Sequence, residues 1–288
     1  LSMSDFLALA QPGVQKLSPY VPGKPVDELA RELGIDPAAI VKLASNENPL
    51  GASPKALEAI RAELAELTRY PDGNGFELKR KLAERCAVDA AQVTLGNGSN
   101  DILDLVARAY LAPGLNAVFS EHAFAVYPIA TQAVGAEGRA VKARAWGHDL
   151  EAMLAAIDGQ TRVVFVANPN NPTGTLTPHE RIVRAIERKP ERSVVLVDEA
   201  YIHFSDAPSV VGLAVQRQDV LVLRTFSKLY GMAGARLGLA IGHPQLLARL
   251  ERFGGHNVVP SPTAHAGLES LRDDDLVPRR KQQIGRAH

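Results

Sequence analysis

Val220-Leu221-Val222-Leu223 runs directly into Arg224-Thr225-Phe226-Ser227-Lys228, and Arg236 follows eight residues after the lysine, in Gly234-Ala235-Arg236-Leu237-Gly238. The apolar run reads as a buried strand, which puts Lys228 just beyond a strand end. Open α/β sheets place their chemistry there. A lysine beside two hydroxyls and an arginine has the groups to form a Schiff base with an aldehyde cofactor while its neighbours bind that cofactor's phosphate. Alone, a serine and a lysine after a strand more often make a solvated loop. The reading therefore rests on what lies at the ends of the other strands.

Outward from this stretch the pattern alternates. Short apolar runs recur at 117–119, 163–167 and 194–197, separated by helical segments. Asp149 reads as the cap of a helix that Gly159 ends, and Thr177-Pro178-His179-Glu180 as a capping box with proline at the first helical position. Strands apolar on both faces that alternate with helices predict an α/β fold, with a mostly parallel central sheet covered by helices on both faces. Ser53-Pro54 reads as a cap and first helical residue, with Leu57, Ile60, Leu64 and Leu67 on one helix face. After a turn-rich break at 70–75, helical spacing resumes from Phe76 to Cys86. Residues 1–45 are rich in proline and glycine, with one short helix signal over 26–33 closed by Gly34, and read as an arm, with Met3 as the native start. The expected division is this arm, a large domain over 46–250, and the start of a small C-terminal domain over 251–288, with Ser261-Pro262 as a helix cap.

Composition narrows the function classes. Lysine plus arginine equals aspartate plus glutamate at 32 each, so no global charge recruits nucleic acid or a membrane surface. A small-molecule partner is expected. Cys86 is the single cysteine, so no internal disulfide is possible. No apolar run approaches a membrane span and no basic-then-apolar leader is seen, so the expected location is cytoplasmic.

Three further segments carry candidate chemistry. Gly96-Asn97-Gly98-Ser99-Asn100-Asp101 precedes a helical run over 102–111 and reads either as an anion-binding loop at a helix N-terminus or as a tight turn with a serine cap. Asn168-Pro169-Asn170-Asn171-Pro172-Thr173-Gly174 follows a strand, and its prolines fix the backbone so that a buried amide is held in one orientation. Val197-Asp198-Glu199-Ala200-Tyr201 puts a carboxylate at the end of a buried strand. That aspartate resembles the metal-binding residue of an ATPase, but the chain has no Gly-Lys-Ser/Thr phosphate loop to partner it. Asp198 instead suits a salt bridge to a cofactor's ring nitrogen. Metal chemistry is not expected, because the eight histidines are dispersed, none in His-Glu-x-x-His. A serine hydrolase is disfavoured by the absence of a Gly-x-Ser-x-Gly elbow.

Taken together, the loop near 96, Asn171-Pro172-Thr173-Gly174, Asp198-Glu199-Ala200-Tyr201 and Ser227-Lys228 with Arg236 resemble the fold-type-I pyridoxal-phosphate aminotransferases. Leu17-Ser18-Pro19-Tyr20, Leu43-Ala44-Ser45-Asn46-Glu47-Asn48-Pro49 and Arg69-Tyr70-Pro71-Asp72 are similar to the histidinol-phosphate branch. The resemblance implies that Lys228 is the Schiff-base lysine and proton shuttle, and that Asp198 keeps the pyridine nitrogen protonated. It implies that Asn171 and Tyr201 bind the ring's phenolic oxygen and that Phe124 stacks on the ring, although Phe124 and Tyr127 also read as plain core aromatics. Ser99, Asn100, Thr225, Ser227 and Arg236 would hold the phosphate, with Tyr70 reaching it from the other subunit of a homodimer. Tyr20, Asn46 and Asn171 would line the substrate pocket. The implied reaction moves an amino group between L-histidinol phosphate and 2-oxoglutarate in histidine biosynthesis. The same chemistry on an aromatic amino acid is the alternative, as is a cofactor-binding fragment without turnover. The family carries a carboxylate-binding arginine in a C-terminal lobe that residues 251–288 only begin, so a chain truncated near the Ile284–His288 tail is expected.

Overall fold

A computed structural model describes residues 9–255 and 257–284. The expected start at Met3 and the tail beyond Ile284 lie outside the described residues. Seven strands form one sheet: β1 (Val93–Asn97), β2 (Asn116–Ser120), β3 (Glu137–Val141), β4 (Thr161–Ala167), β5 (Val194–Asp198), β6 (Val220–Thr225) and β7 (Leu237–Ile241). Their order across the sheet is β1-β7-β6-β5-β4-β2-β3. β7 runs antiparallel to both its neighbours and every other pairing is parallel.

The four apolar runs are β2, β4, β5 and β6, and alternation along them separates two cores. Val118, Val164, Val166, Val195, Val197, Val220 and Val222 face one side, where Met153, Ile182 and Ile186 pack against them. Phe119, Val163, Phe165, Leu196, Leu221 and Leu223 face the other, against Ile102, Leu103, Val106, Tyr127 and Leu247. Burial on both faces is the physical reason these strands lack polar alternation. β1, β3 and β7 escaped the sequence reading. β3 is an edge strand of Glu137, Gly138, Arg139, Ala140 and Val141 with no buried position, so it shows no apolar run. β7 is buried throughout, but its first residues read as part of the loop around Arg236.

Several local expectations shift. The helix over Val26–Leu33 ends on left-handed Gly34, and Asp149 caps its helix through the Ala152 N–H, as expected. That second helix stops at Ala155, short of Gly159. The capping box does not form. The helix begins at His179, because the Thr177 N–H and carbonyl are both taken by the Asn168 side-chain amide, at 2.8 and 3.0 Å. Ser53 precedes the Pro54–Glu63 helix but donates to Asp273 instead of capping, at 2.8 Å. Ser99 is the first residue of its helix, with Gly98 in the cap position. Leu64 and Leu67 lie past the end of the Pro54–Glu63 helix and Leu57 is exposed, so of the predicted apolar face Ile60 alone packs against the core, partly buried, beside the buried Ala56. Among the described residues no helix is long and apolar enough to cross a membrane.

The strand ends are braced by a buried ion pair. Arg224 donates to Glu199 Oε2 from Nη2 at 2.9 Å and from Nε at 3.1 Å, tying β5 to β6. Ser209 Oγ and the Val210 N–H complete the carboxylate's partners, at 2.7–2.9 Å. The Glu199 side chain is 2% exposed, so removing it strands a guanidinium in the interior. Glu199→Ala is expected to cost about 3–5 kcal/mol of stability, read as a lower midpoint in urea unfolding.

Candidate active site

Beyond the carboxyl ends of β4, β5 and β6 lies a cavity of about 630 Å³. It opens into a second space of about 360 Å³, with Asn46, Asn171, Tyr201 and Lys228 lining both. Every residue singled out for cofactor or substrate lines the larger cavity except Tyr70. Tyr70 is 89% exposed and touches neither space.

One end of the cavity is built to take an anion. Ser99 and Asn100 open the Ser99–Tyr110 helix, whose first N–H groups have no partner within the helix and whose dipole favours negative charge. Arg236 faces this turn because β7 reverses direction and pairs Gly238 with Gly96 of β1. The approach is close. A Cβ on Gly238 would lie 2.4 Å from the Ser99 nitrogen, and one on Gly98, at φ +81°, would lie 2.2 Å from Arg236 Nη2. Arg236 itself is left-handed at φ +56°, a conformation a non-glycine residue holds only when its surroundings enforce it. Its Nη1 donates to the Ala233 carbonyl at 3.0 Å. Thr225 and Ser227 complete the cup: the Thr225 hydroxyl donates to Ser227 Oγ and accepts the Ser227 N–H, each at 3.1 Å.

Asp198 forms the floor at 6% exposure. Its Oδ1 accepts the Ala200 N–H at 3.0 Å and its Oδ2 accepts the Tyr127 hydroxyl at 2.8 Å. Burial raises its pKa above the usual carboxylate value, against the pull of those two hydrogen bonds and of Lys228. Lys228 Nζ donates to the carbonyls of Ser45 and Asn46 at 3.0 and 3.3 Å and lies 5.6 Å from the Tyr201 ring centroid. Burial lowers the pKa of this amine, with Arg236 acting in the same sense and Glu47 and Asp198 opposing. Tyr201 accepts from Asn46 Nδ2 at 3.0 Å. Phe124 lies edge-on to Tyr127 at the cavity wall, and Tyr20, 51% exposed, lines the mouth.

Other residues supporting the site were not assigned from the sequence. Tyr127 read as a core aromatic, and it is one, at 0% exposure, yet its hydroxyl meets Asp198. Asn48 donates to the carbonyls of Lys228 and Leu229 at 3.1 and 2.9 Å, and Arg280 in turn donates to Asn48 Oδ1 at 3.2 Å. The motif around 46–49 pointed to Asn48 without giving it a task, and nothing in the sequence pointed to Arg280. The buried amides of the Asn-Pro turn are Asn168 and Asn170, while Asn171 is half-buried against the cavity. Asn170 Nδ2 fastens the turn to the His122 carbonyl at 2.8 Å.

A lysine amine, a buried carboxylate and an anion cup in one cavity suit a phosphorylated aldehyde with a basic ring nitrogen. The chain belongs to the class I and II aminotransferases, whose family model matches residues 38–288. Within that class its relatives are histidinol-phosphate aminotransferases. It is 73% identical to histidinol-phosphate aminotransferase 2 of Pseudomonas aeruginosa over 96% of this chain and 75% of that protein. It is 64% identical to the protein of that name from Pseudomonas fluorescens, over 95% of this chain and 75% of the relative. The crystal structure of histidinol-phosphate aminotransferase from Sinorhizobium meliloti, in complex with pyridoxal-5'-phosphate, superposes with a TM-score of 0.89 at 28% identity, over 98% of this chain and 75% of that one.

Burial sets the sign of a titration experiment on Lys228, and the charges around it set the direction of each variant's shift. In the cofactor-free chain, the Lys228 amine is expected to lose its proton below the pH at which exposed lysines do, read by ¹³C-methyl labelling and NMR. Asp198→Asn removes a charge that favours the ammonium form and should move the midpoint lower still. Arg236→Gln should move it up. A midpoint for Lys228 equal to that of surface lysines in all three proteins would contradict this electrostatic account.

Proposed function

We propose that this chain moves an amino group between L-histidinol phosphate and 2-oxoglutarate, giving imidazole acetol phosphate and glutamate, with pyridoxal 5'-phosphate as cofactor. The observation that carries the reading is the convergence of Lys228, Asp198 and the Arg236 anion cup on one cavity, in a chain 73% identical to a histidinol-phosphate aminotransferase. Arg236, Thr225, Ser227 and the helix start at Ser99 and Asn100 hold the phosphate through charge-assisted hydrogen bonds. The Asp198 carboxylate would accept a hydrogen bond from the protonated ring nitrogen and so keep that nitrogen in its charged form. Asn171 and Tyr201 donate to the phenolic oxygen, and Phe124 covers one ring face. Bound there, the cofactor supplies an electron sink for the charge left when the substrate carbon loses a proton. Lys228 Nζ anchors the aldehyde at rest. Released by the incoming amine, the same nitrogen would hold and move the proton at the substrate carbon, and burial, which lowers its pKa, favours the free-base form this role needs. Tyr20 and Asn46 take the substrate side of the pocket.

The same reading includes a cytoplasmic homodimer, with the cofactor domain over 46–250 and residues 251–288 belonging to a second, smaller lobe. Support for the dimer comes from Tyr70, at 89% exposure, and from exposed apolar side chains in the same stretch of chain, among them Val41, Leu43, Leu64, Leu67 and Phe76. Each Tyr70 would complete the partner's phosphate cup.

Incubation with pyridoxal phosphate should give wild-type protein a long-wavelength absorption band that Lys228→Ala lacks. Histidinol phosphate should bleach the band and 2-oxoglutarate restore it, and turnover in the mutant should fall by about 10²–10⁴-fold or more. A folded wild type with no band would sink the cofactor assignment. A band bleached by aromatic amino acids and indifferent to histidinol phosphate would replace the substrate. The dimer has its own test. Mixing Tyr70→Ala with Lys228→Ala subunits and allowing exchange should yield activity that neither homodimer has, because one site of each hybrid is intact.

A further inference from the structure

Tyr127 stands behind the cavity wall, and its environment is unusually determined. Its ring stacks on Phe165 of β4, with centroids 4.7 Å apart and planes within 5°, and meets the edge of Phe124 at 5.8 Å and 90°. With 0% exposure the hydroxyl has no water to turn to, and it donates to Asp198 Oδ2 at 2.8 Å. The other carboxylate oxygen is taken by the Ala200 N–H. Both oxygens are therefore directed by the protein, and the phenol is the one side-chain donor recorded on Asp198 among the described residues.

We propose that Tyr127 is a positioning residue for the reaction, fixing the Asp198 carboxylate in one orientation and in its ionised form toward the ring nitrogen of the bound cofactor. This rests on the assignment of Asp198 to that nitrogen and goes beyond it by naming what keeps a buried carboxylate fit for the task. The physical need is plain. A carboxylate this deep is driven toward its neutral form, and a neutral acid accepts a ring N–H far less strongly. A hydrogen-bond donor to the charged form opposes that drive. Burial foremost, and then the Asp198 charge, push the Tyr127 hydroxyl well above its ordinary range, so it stays a donor and does not become a competing anion. The other charges near Asp198 divide: Lys228, beyond β6, favours the carboxylate, and Glu199, the first residue after β5, disfavours it. Glu199 is itself matched by Arg224. Because the same ring backs Phe124, Tyr127 also joins the two side chains expected to hold the cofactor's ring by its edge and by its face.

The test reads Asp198 without cofactor. In the cofactor-free chain, the infrared carbonyl band of protonated Asp198 is isolated by difference against Asp198→Asn and followed with pH. Tyr127→Phe keeps the stacked ring and removes only the donor. It should raise the midpoint of that band by about one to two pH units and weaken pyridoxal phosphate binding several-fold in an equilibrium titration. Replacing Tyr127 with 3-fluorotyrosine, a stronger donor that retains the hydroxyl, should move the midpoint the opposite way. This keeps the question open to measurement even where Tyr127→Phe fails to fold. Midpoints unchanged from wild type in the substituted proteins that fold would show that Tyr127 only fills space, and would overturn the proposal. Absence of the visible band in wild type is a different failure. It removes the cofactor reading, and the positioning role with it, whatever the infrared titration shows.

Discussion

The backbone contact between β7 and the turn at Gly98-Ser99 is the constraint on which the anion cup depends. Six strands run in one direction. The seventh, β7, is reversed and inserted between β1 and β6. That reversal brings residues 233–236, which follow the lysine loop, against the start of the Ser99–Tyr110 helix, from a strand at the far side of β6. It works only if nothing projects from Gly238 and Gly98, where a Cβ would meet backbone in one case and the Arg236 guanidinium in the other. The two glycines and the left-handed backbone of Arg236 are one arrangement. The absence of a Cβ at both glycines, with the positive φ of Gly98, is what lets a charged side chain and a helix N-terminus come together at one place.

Burial then sets the chemistry at the opposite end of the cavity. Asp198 and Lys228 are pushed by desolvation toward their neutral forms, and each restrains that push in the other. In water such a pair would be ordinary. Here the carboxylate has protein donors on both oxygens and the amine has two carbonyls, so neither group relies on solvent to define its position. The neighbouring Glu199 shows the role of strand alternation: Asp198 and Glu199 are adjacent in sequence, yet one faces the cavity and the other pairs with Arg224 against the Ser209 loop.

What the sequence made legible follows from the same physics. Strands buried on both faces have no polar positions, so β2, β4, β5 and β6 stood out as apolar runs. Residues at their ends were visible as sudden polar signals, as with Asp198 after Val197 and Lys228 after β6. β3 was hidden because an edge strand with Glu137 and Arg139 resembles a loop, and β7 because its role as a sheet strand is a tertiary fact. The capping box at Thr177 failed for a similar reason. Its local pattern is sound, but the Asn168 amide, nine residues away, takes both backbone groups of Thr177. Tyr127 and Arg280 were illegible because their meaning lies in single long-range hydrogen bonds, to Asp198 and to Asn48, that no local spacing announces.

Those long-range bonds also hold the main chain of Lys228 separately from its amine. Asn48, which lines the smaller space, grips the Lys228 carbonyl, and Arg280, at 4% exposure, grips Asn48 and the carbonyls of Leu50 and Gly51. None of these bonds involves the amine. Among the described residues the amine's hydrogen bonds go to the carbonyls of Ser45 and Asn46, which lie on an exposed segment. The role proposed for Lys228 would call for replaceable contacts at Nζ and a fixed backbone beneath it. The hydrogen bonds around Lys228 are graded in that way: part-buried and backed by the buried Arg280 at the main chain, exposed at the amine.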